Sequence, residues 1–151
     1  MKIIISINSA WNVFNFRLSL IKELQNNGHE IIAVAPKDKY VYELEALGVK
    51  CFNIKLDSKG TNPITDLALI FQYYKLYKII NPDIVLSYTI KPNIYGNFAL
   101  QLLGIPVINN ISGLGTLFIN NSFTTSIGKF LYKFSLPRIK RVYTRQKAFQ
   151  V

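Results

Sequence analysis

Three short segments of this 151-residue chain gather side chains able to hold a polar or anionic ligand. The first is Asn8-Ser9-Ala10-Trp11-Asn12, with Arg17 one turn further on. Backbone N–H groups at a helix start can hold an anion, and a guanidinium adds charge-assisted hydrogen bonds. The competing reading has Trp11 and Phe14 stapling a helix to the core, with Arg17 on the surface. The second segment is Ser87-Tyr88-Thr89-Ile90-Lys91-Pro92-Asn93. Its hydroxyls and ammonium can orient sugar hydroxyls or a diphosphate. The competing reading is a loop capped by its own side chains, with Lys91 in solvent. The third is Asn109-Asn110-Ile111-Ser112-Gly113-Leu114-Gly115-Thr116. Gly113 and Gly115 permit close backbone approach to a ligand. Taken alone, a turn needing positive φ explains that pair better.

Several other chemistries lack their residues. His29 is the only histidine and Cys51 the only cysteine, so neither a disulfide nor an ordinary zinc site is expected. The first segment lacks the G-x-G-x-x-G of a dinucleotide binder, and there is no P-loop. His29 leads a strand at the wrong end of a sheet for a Ser-His-Asp arrangement. The eight acids show no paired spacing. No residue is singled out as catalytic, and no metal or cofactor is expected. A binding platform fits these residues better than a complete reaction centre.

The elements that position the three segments follow from hydrophobic periodicity. Short apolar, β-branched runs at 3–7, 30–35, 49–54, 84–87 and 106–109 read as buried strands. Helical spacing fills the intervals at 13–24, 39–47, 63–80 and 93–103, and again at 122–136. Gly28, Gly48 and Gly104 mark helix stops, Pro63 a helix start, and Asn81-Pro82 an end. This alternation predicts a doubly wound α/β fold with a parallel sheet. If the strand order is 3-2-1-4-5, the three segments lie at strand ends near the switch point, where such sheets bind ligands.

Charge is uneven. Residues 1–83 carry a net +2 and residues 84–151 a net +8, with seven cations between Lys129 and Lys147. Such a surface attracts phosphates, anionic lipid or nucleic acid, although a solvated basic tail is the plain alternative. The charge-free run 92–128 is broken by polar residues and glycines and does not read as a spanning helix. No signal peptide is expected.

The residues from Asn8 to Arg17, from Ser87 to Gly96 and from Asn109 to Gly115 together resemble the amino-terminal domain of glycosyltransferase family 4. The closest likeness is to members that build bacterial capsule, O-antigen or other oligosaccharides on a polyprenyl diphosphate lipid. The resemblance covers residues 1–136. It implies a Rossmann-like domain, one half of a GT-B architecture, that holds the acceptor in a retaining sugar transfer. A second domain would hold the nucleotide-sugar donor and supply paired glutamates. Carried over by position, Asn8, Ser9, Trp11, Tyr88, Thr89, Lys91, Gly113, Gly115 and Thr116 would line the cleft, with Arg17 as a phosphate contact. Many members place a histidine at the fourth strand end, where this chain has Tyr88 and Thr89. The implied partners are a lipid-linked glycan acceptor, an anionic membrane surface and a separate donor-domain chain, at the cytoplasmic face of the cell membrane.

Residues 137–151 are basic and poorly patterned, and are expected to be a truncated or frameshifted tail. The helix at 122–136 could lie on anionic lipid, while its apolar side packs on the sheet. Two other functions compete with the acceptor half. One is a basic nucleic-acid-binding module, against which stands the absence of any RNA-binding signature. The other is a membrane-peripheral remnant without activity.

Overall fold

The computed structural model describes residues 1–57, 62–111 and 143–144. Its framework is an all-parallel sheet built from β1 (Lys2–Ser6), β2 (Glu30–Ala35), β3 (Lys50–Asn53), β4 (Ile84–Tyr88), β5 (Val107–Ile111) and β6 (Tyr143–Thr144). The strand order is β3-β2-β1-β4-β5-β6. The predicted order of the first five strands is therefore observed, with the reversal between β1 and β4. β6 extends the sheet beside β5 and falls in the segment read as an unpatterned tail. A two-residue strand is too short to show alternation, so the periodicity of the sequence could not reveal it.

Parallel strands must be covered on both faces, and two apolar layers do this. On one face, Ile3, Ile5, Ile31 and Ala33 pack with Val13 and Ile21 of α1 (Ala10–Asn26) and Leu44 of α2 (Val41–Ala46). On the other, Ile4, Ile32, Val34 and Val85 meet Leu69, Tyr73 and Tyr77 of α3 (Pro63–Ile80) and Ala99 and Leu100 of α4 (Asn97–Leu103). Each fully buried isoleucine contributes about 1.5–3 kcal/mol of transfer free energy, so the unbroken Ile3-Ile4-Ile5 run serves both layers at once.

Helix ends are set by single residues. Ser9 caps α1, its Oγ accepting from Asn12 N at 3.2 Å. This starts the helix at Ala10, so Trp11 and Asn12, expected in a loop, lie in its first turn. Asn62 caps α3 through Oδ1, which accepts from Ile64 N at 3.0 Å. α2 begins two residues later than expected, because Asp38 Oδ1 accepts from Tyr40 N and holds that stretch in a turn. The expected helix at 93–103 is split into a π-helical turn, Pro92–Gly96, and α4. Gly96 makes room there, since a Cβ on it would stand 3.3 Å from the Tyr77 hydroxyl.

α3 ends on Asn81, whose φ of 49° is left-handed and whose N–H donates to Tyr77 O at 2.8 Å. Left-handed backbone opposes most side chains by roughly 1–2 kcal/mol and a β-branched one more, while Gly and Asn tolerate it. Asn81→Val should therefore lower stability by about 1–2 kcal/mol in urea unfolding, whereas Asn81→Gly should stay within about 0.5 kcal/mol of the parent.

Candidate functional site

The strand reversal places the carboxyl ends of β1 and β4 side by side, with Ser6 opposite Ser87. Ligands of open α/β sheets bind beyond such a switch point. One contact joins the two loops that rise from these strands. The Arg17 guanidinium of α1 lies over the Tyr88 ring at the end of β4, 4.4 Å from its centroid. Arg17 Nη1 also donates to Phe16 O at 2.9 Å, while its Nε is buried without a partner. Burial pushes the Tyr88 phenol up, and Arg17 pulls it back only in part. Arg17 is thus neither a free surface charge nor a full structural tie, because its buried Nε–H has no partner among the described residues.

The neighbouring residues of the first segment behave differently from one another. Phe14 packs against the core and against Tyr40. Trp11 does not, since 44 % of it is exposed and its ring meets Phe16 edge-on at 5.4 Å. The stapling alternative therefore holds for Phe14 and fails for Trp11. Trp11 N donates to Asp38 Oδ2 at 2.9 Å, so Asp38 pins the start of α1 and the β2–α2 turn together. Asn8 Oδ1 accepts from Asn12 Nδ2 at 3.5 Å, and Ser9 is spent as the cap.

In the second segment, Thr89 has a φ of 65°. A β-branched residue in left-handed backbone is an outlier that persists only where its surroundings enforce it, and such strain clusters at functional sites. Its Oγ1 is buried without a partner. The π-helical turn follows at once, another feature concentrated at functional sites. Lys91 is not in solvent. Its Nζ lies 2.7 Å from Asp66 Oδ1, with both side chains 13 % exposed. Tyr95, one turn on, donates its hydroxyl to Asp66 Oδ2 at 2.7 Å. Burial first, then the Asp66 carboxylate, push the Tyr95 phenol up, so it stays a donor. Asp66 and Tyr95 were not singled out from sequence. Their one available signal was position, Asp66 in the first turn of α3 and Tyr95 four residues after Lys91.

Under the switch point lies a polar row within the core. Ser6, Ser87 and Asn109 are register neighbours across β1, β4 and β5, and all three are buried. The Tyr77 hydroxyl donates to Ser6 Oγ at 3.1 Å, and Asn93 Nδ2 donates to Asn110 O at 3.1 Å. Ser87 Oγ, Asn93 Oδ1 and both amide atoms of Asn97 and Asn109 find no partner among the described residues. Buried polar groups are rarely left so, which marks this end of the sheet as built around something other than packing. Gly113, Gly115 and Thr116, the third segment's candidates, lie outside the described residues, as does the helix expected at 122–136.

Beside the switch point, a cleft of about 490 Å³ opens at the ends of β2 and β3, against the first turns of α3. Its lining includes Lys37, Asn53, Lys55, Asp57, Asp66 and Lys91. Lys91 therefore belongs to both the switch-point loop and this cleft. Among the described residues no cluster of three metal-ligating side chains exists, and no helix is long and apolar enough to cross a membrane.

Known proteins share this framework. The sequence profile of the family described as Glycosyl transferase 4-like matches residues 2–146. The N,N'-diacetylbacillosaminyl-diphospho-undecaprenol alpha-1,3-N-acetylgalactosaminyltransferase of Campylobacter jejuni is 30% identical over 129 residues, covering 82% of this chain and 34% of that enzyme. The chain thus spans about a third of that relative's length. Among solved structures, MurG of Acinetobacter baumannii superposes with a TM-score of 0.64 at 19% identity, over 99% of this chain and 42% of MurG. A UDP-GlcNAc 2-epimerase of Neisseria meningitidis gives 0.60 at 16% identity, over 89% of this chain and 39% of the epimerase. At such identities the structural likeness establishes the Rossmann-like fold and not the reaction.

Two outcomes follow from the geometry. Thr89→Gly should raise stability by about 1 kcal/mol in urea unfolding, by releasing the strained φ and removing a buried unpartnered hydroxyl. A loss of stability instead would show that the Thr89 side chain holds the loop. The Cys51 thiol is pushed up to about 11, mainly by burial, with Glu45 and Asp38 adding to it. Its labelling by a thiol reagent should be slow at pH 8 and accelerate about tenfold per pH unit toward that value. A rate already level at pH 8–9 would contradict the raised thiol.

Proposed function

The chain belongs to the glycosyl transferase 4-like family, and from that premise we propose that it holds the acceptor in a sugar transfer onto a lipid-linked glycan. The observation that carries this reading is the 30% identity to a transferase whose name specifies a diphospho-undecaprenol acceptor, over most of this chain. The geometry supports it. Arg17, Tyr88, Thr89 and Lys91 converge at the switch point, and unspent donors and acceptors surround them.

Each group has a role in this scheme. The exposed Trp11 face stacks on a sugar ring, Arg17 Nε donates to a phosphate or ring oxygen, and Thr89 Oγ1 and Asn93 Oδ1 bond sugar hydroxyls. Asn8 and Ser9 shape the first loop, and the family resemblance adds Gly113, Gly115 and Thr116 as acceptor contacts. A second α/β unit, continuous with these residues or a separate chain, holds the nucleotide sugar across the cleft and supplies the remaining catalytic groups. Transfer proceeds with retention in the synthesis of a surface polysaccharide, at the inner face of the cell membrane.

The test is to titrate these 151 residues with a polyprenyl diphosphate-linked saccharide, with the matching lipid-free saccharide and with a panel of nucleotide sugars, reading binding and turnover. Saccharide binding without turnover is expected, and Arg17→Ala should weaken it by about tenfold, some 1.4 kcal/mol. Turnover by these residues alone would mean a complete reaction centre and sink the half-enzyme reading. Absence of saccharide binding in every form would sink the acceptor role.

A further inference from the structure

The polar row under the switch point holds more hydrogen-bonding capacity than the saccharide scheme uses. Ser6, Ser87 and Asn109 each follow, by two residues, an apolar residue of the α3–α4 layer: Ile4, Val85 and Val107. Alternation along a strand turns all three to that same face. Their register makes them neighbours on strands roughly 4.8 Å apart. Tyr73 and Tyr77 of α3 cover the row with stacked rings, 5.3 Å between centroids, and Tyr77 uses its hydroxyl on Ser6. Burial pushes the Tyr73 phenol up and Ser6 draws it back in part, so these two also stand close. Asn93 reaches Asn110 O on β5, and Asn97 follows one turn on, fully buried. Apart from Thr89 Oγ1 and Asn93 Oδ1, which the scheme above gives to the saccharide, six atoms remain. Tyr73 Oη, Ser87 Oγ and both amide atoms of Asn97 and Asn109 have no partner among the described residues. Their four residues are at most 1 % exposed.

Orphaned buried polar atoms are destabilising, and six together would cancel much of an ordinary domain's stability. Their chemistry narrows the guest that completes them. Amide Nδ2 groups only donate, amide Oδ1 atoms only accept, and hydroxyls do both. The donors would repel a cation and the acceptors an anion, and no charged side chain is fully buried among the described residues to balance either. Water is neutral, donates and accepts, and makes about three hydrogen bonds when buried. We infer that this layer encloses about two or three ordered waters that bridge β4 and β5 to the π-helical turn and α4. Ser87, Asn97 and Asn109 are thereby positioning residues for the Tyr88–Lys91 loop, a role in saccharide binding that rests on the acceptor-half reading above. Ser87 immediately precedes this loop, and Asn97 immediately follows the π-helical turn after it. Joining the two through water fixes the loop at both ends, which holds the strained Thr89 backbone without direct contact between Ser87 and Asn97.

Nuclear magnetic resonance on the 151-residue chain tests this. In the parent, the side-chain amides of Asn97 and Asn109 should cross-relax with water held longer than the protein tumbles. Absence of that signal would overturn the inference without any variant. Ser87→Thr and Ser87→Val then differ only by a hydroxyl against a methyl of similar size. Oxygen-17 relaxation dispersion, which counts long-held waters, should give the Thr variant the parent count, and the Val variant and Asn97→Leu at least one water fewer. The Thr variant should also be the more stable in urea, because a lost bridging water strands the other polar atoms. A dry layer would reverse that order. The Asn93 amide, which donates to Thr89 O at 3.1 Å, reports the seating of the loop. Its hydrogen exchange should be about tenfold faster in the Val variant than in the Thr variant, and lipid-free saccharide should bind the Val variant about tenfold more weakly. Equal water counts in all four proteins, or a Val variant as stable as the Thr variant, would overturn the water cluster. A lost water with unchanged exchange at Asn93 would overturn the positioning role. If counts and exchange changed as expected while no form bound saccharide, the acceptor role would fall and the water-held loop would stand.

Discussion

The parallel seating of β4 beside β1 is the constraint on which the candidate site depends. It aligns Ile4 with Val85 and Ser6 with Ser87, and it brings two loops from distant parts of the chain to one edge. The same seating lets α1 reach across and lay Arg17 on Tyr88. A slip of one residue would turn every β4 side chain to the opposite face. Tyr88 would leave the α1 layer, and Ser87 would be forced among Val13 and Ile21. The two apolar layers forbid this slip, because each strand presents apolar residues to both faces and their sizes are already matched to the helices above.

The polar row beneath the switch point is where this arrangement departs from simple packing. Ser6, Ser87 and Asn109 occupy core positions that a sheet of this kind fills with Val or Ile. Tyr77 reaches 71 residues along the chain to satisfy Ser6. Gly96 is the accommodation that permits it, because any larger residue in the π-helical turn would press on that hydroxyl. An uncompensated buried polar atom costs about 1–3 kcal/mol, so a run of them is destabilising unless ordered solvent or a ligand completes it. The strained Thr89 sits directly above. Strain and unspent hydrogen-bonding capacity therefore coincide at the strand ends where function was expected, and are sparse elsewhere in the sheet.

Much of this was legible in the sequence, and the reason is physical. Strand positions were visible because parallel strands buried on both faces read as continuous Ile and Val runs. Helix ends were visible because left-handed backbone demands Gly or Asn, and Gly28, Gly48, Gly104 and Asn81 all have positive φ. The loops 8–12 and 88–93 were found by position at strand ends. The pairing of Lys91 with Asp66 was not, because it joins residues 25 apart across a helix and a loop, and no local periodicity encodes that distance. The same holds for Arg17 on Tyr88. The π-helical turn was invisible since five residues are too few for an i+5 spacing to be told from an i+4 spacing. β6 was missed because two residues carry no period.

The placement of cations argues for a division of labour along the edge. Arg17 keeps its buried Nε–H unpartnered among the described residues at the switch point, whereas Lys91 is tied to a carboxylate and stiffened by it. A mobile lysine would have to be ordered by each ligand, and losing that freedom opposes binding. A lysine already held by Asp66, itself held by Tyr95, presents its remaining N–H groups without that entropic loss. Asp66 also sits on the same helix turn that exposes Ile64 and Leu67. One carboxylate thus fixes the ammonium that borders both the switch point and the cleft, and fixes α3 relative to the π-helical turn. Because the ion pair is mostly buried, salt would screen it weakly.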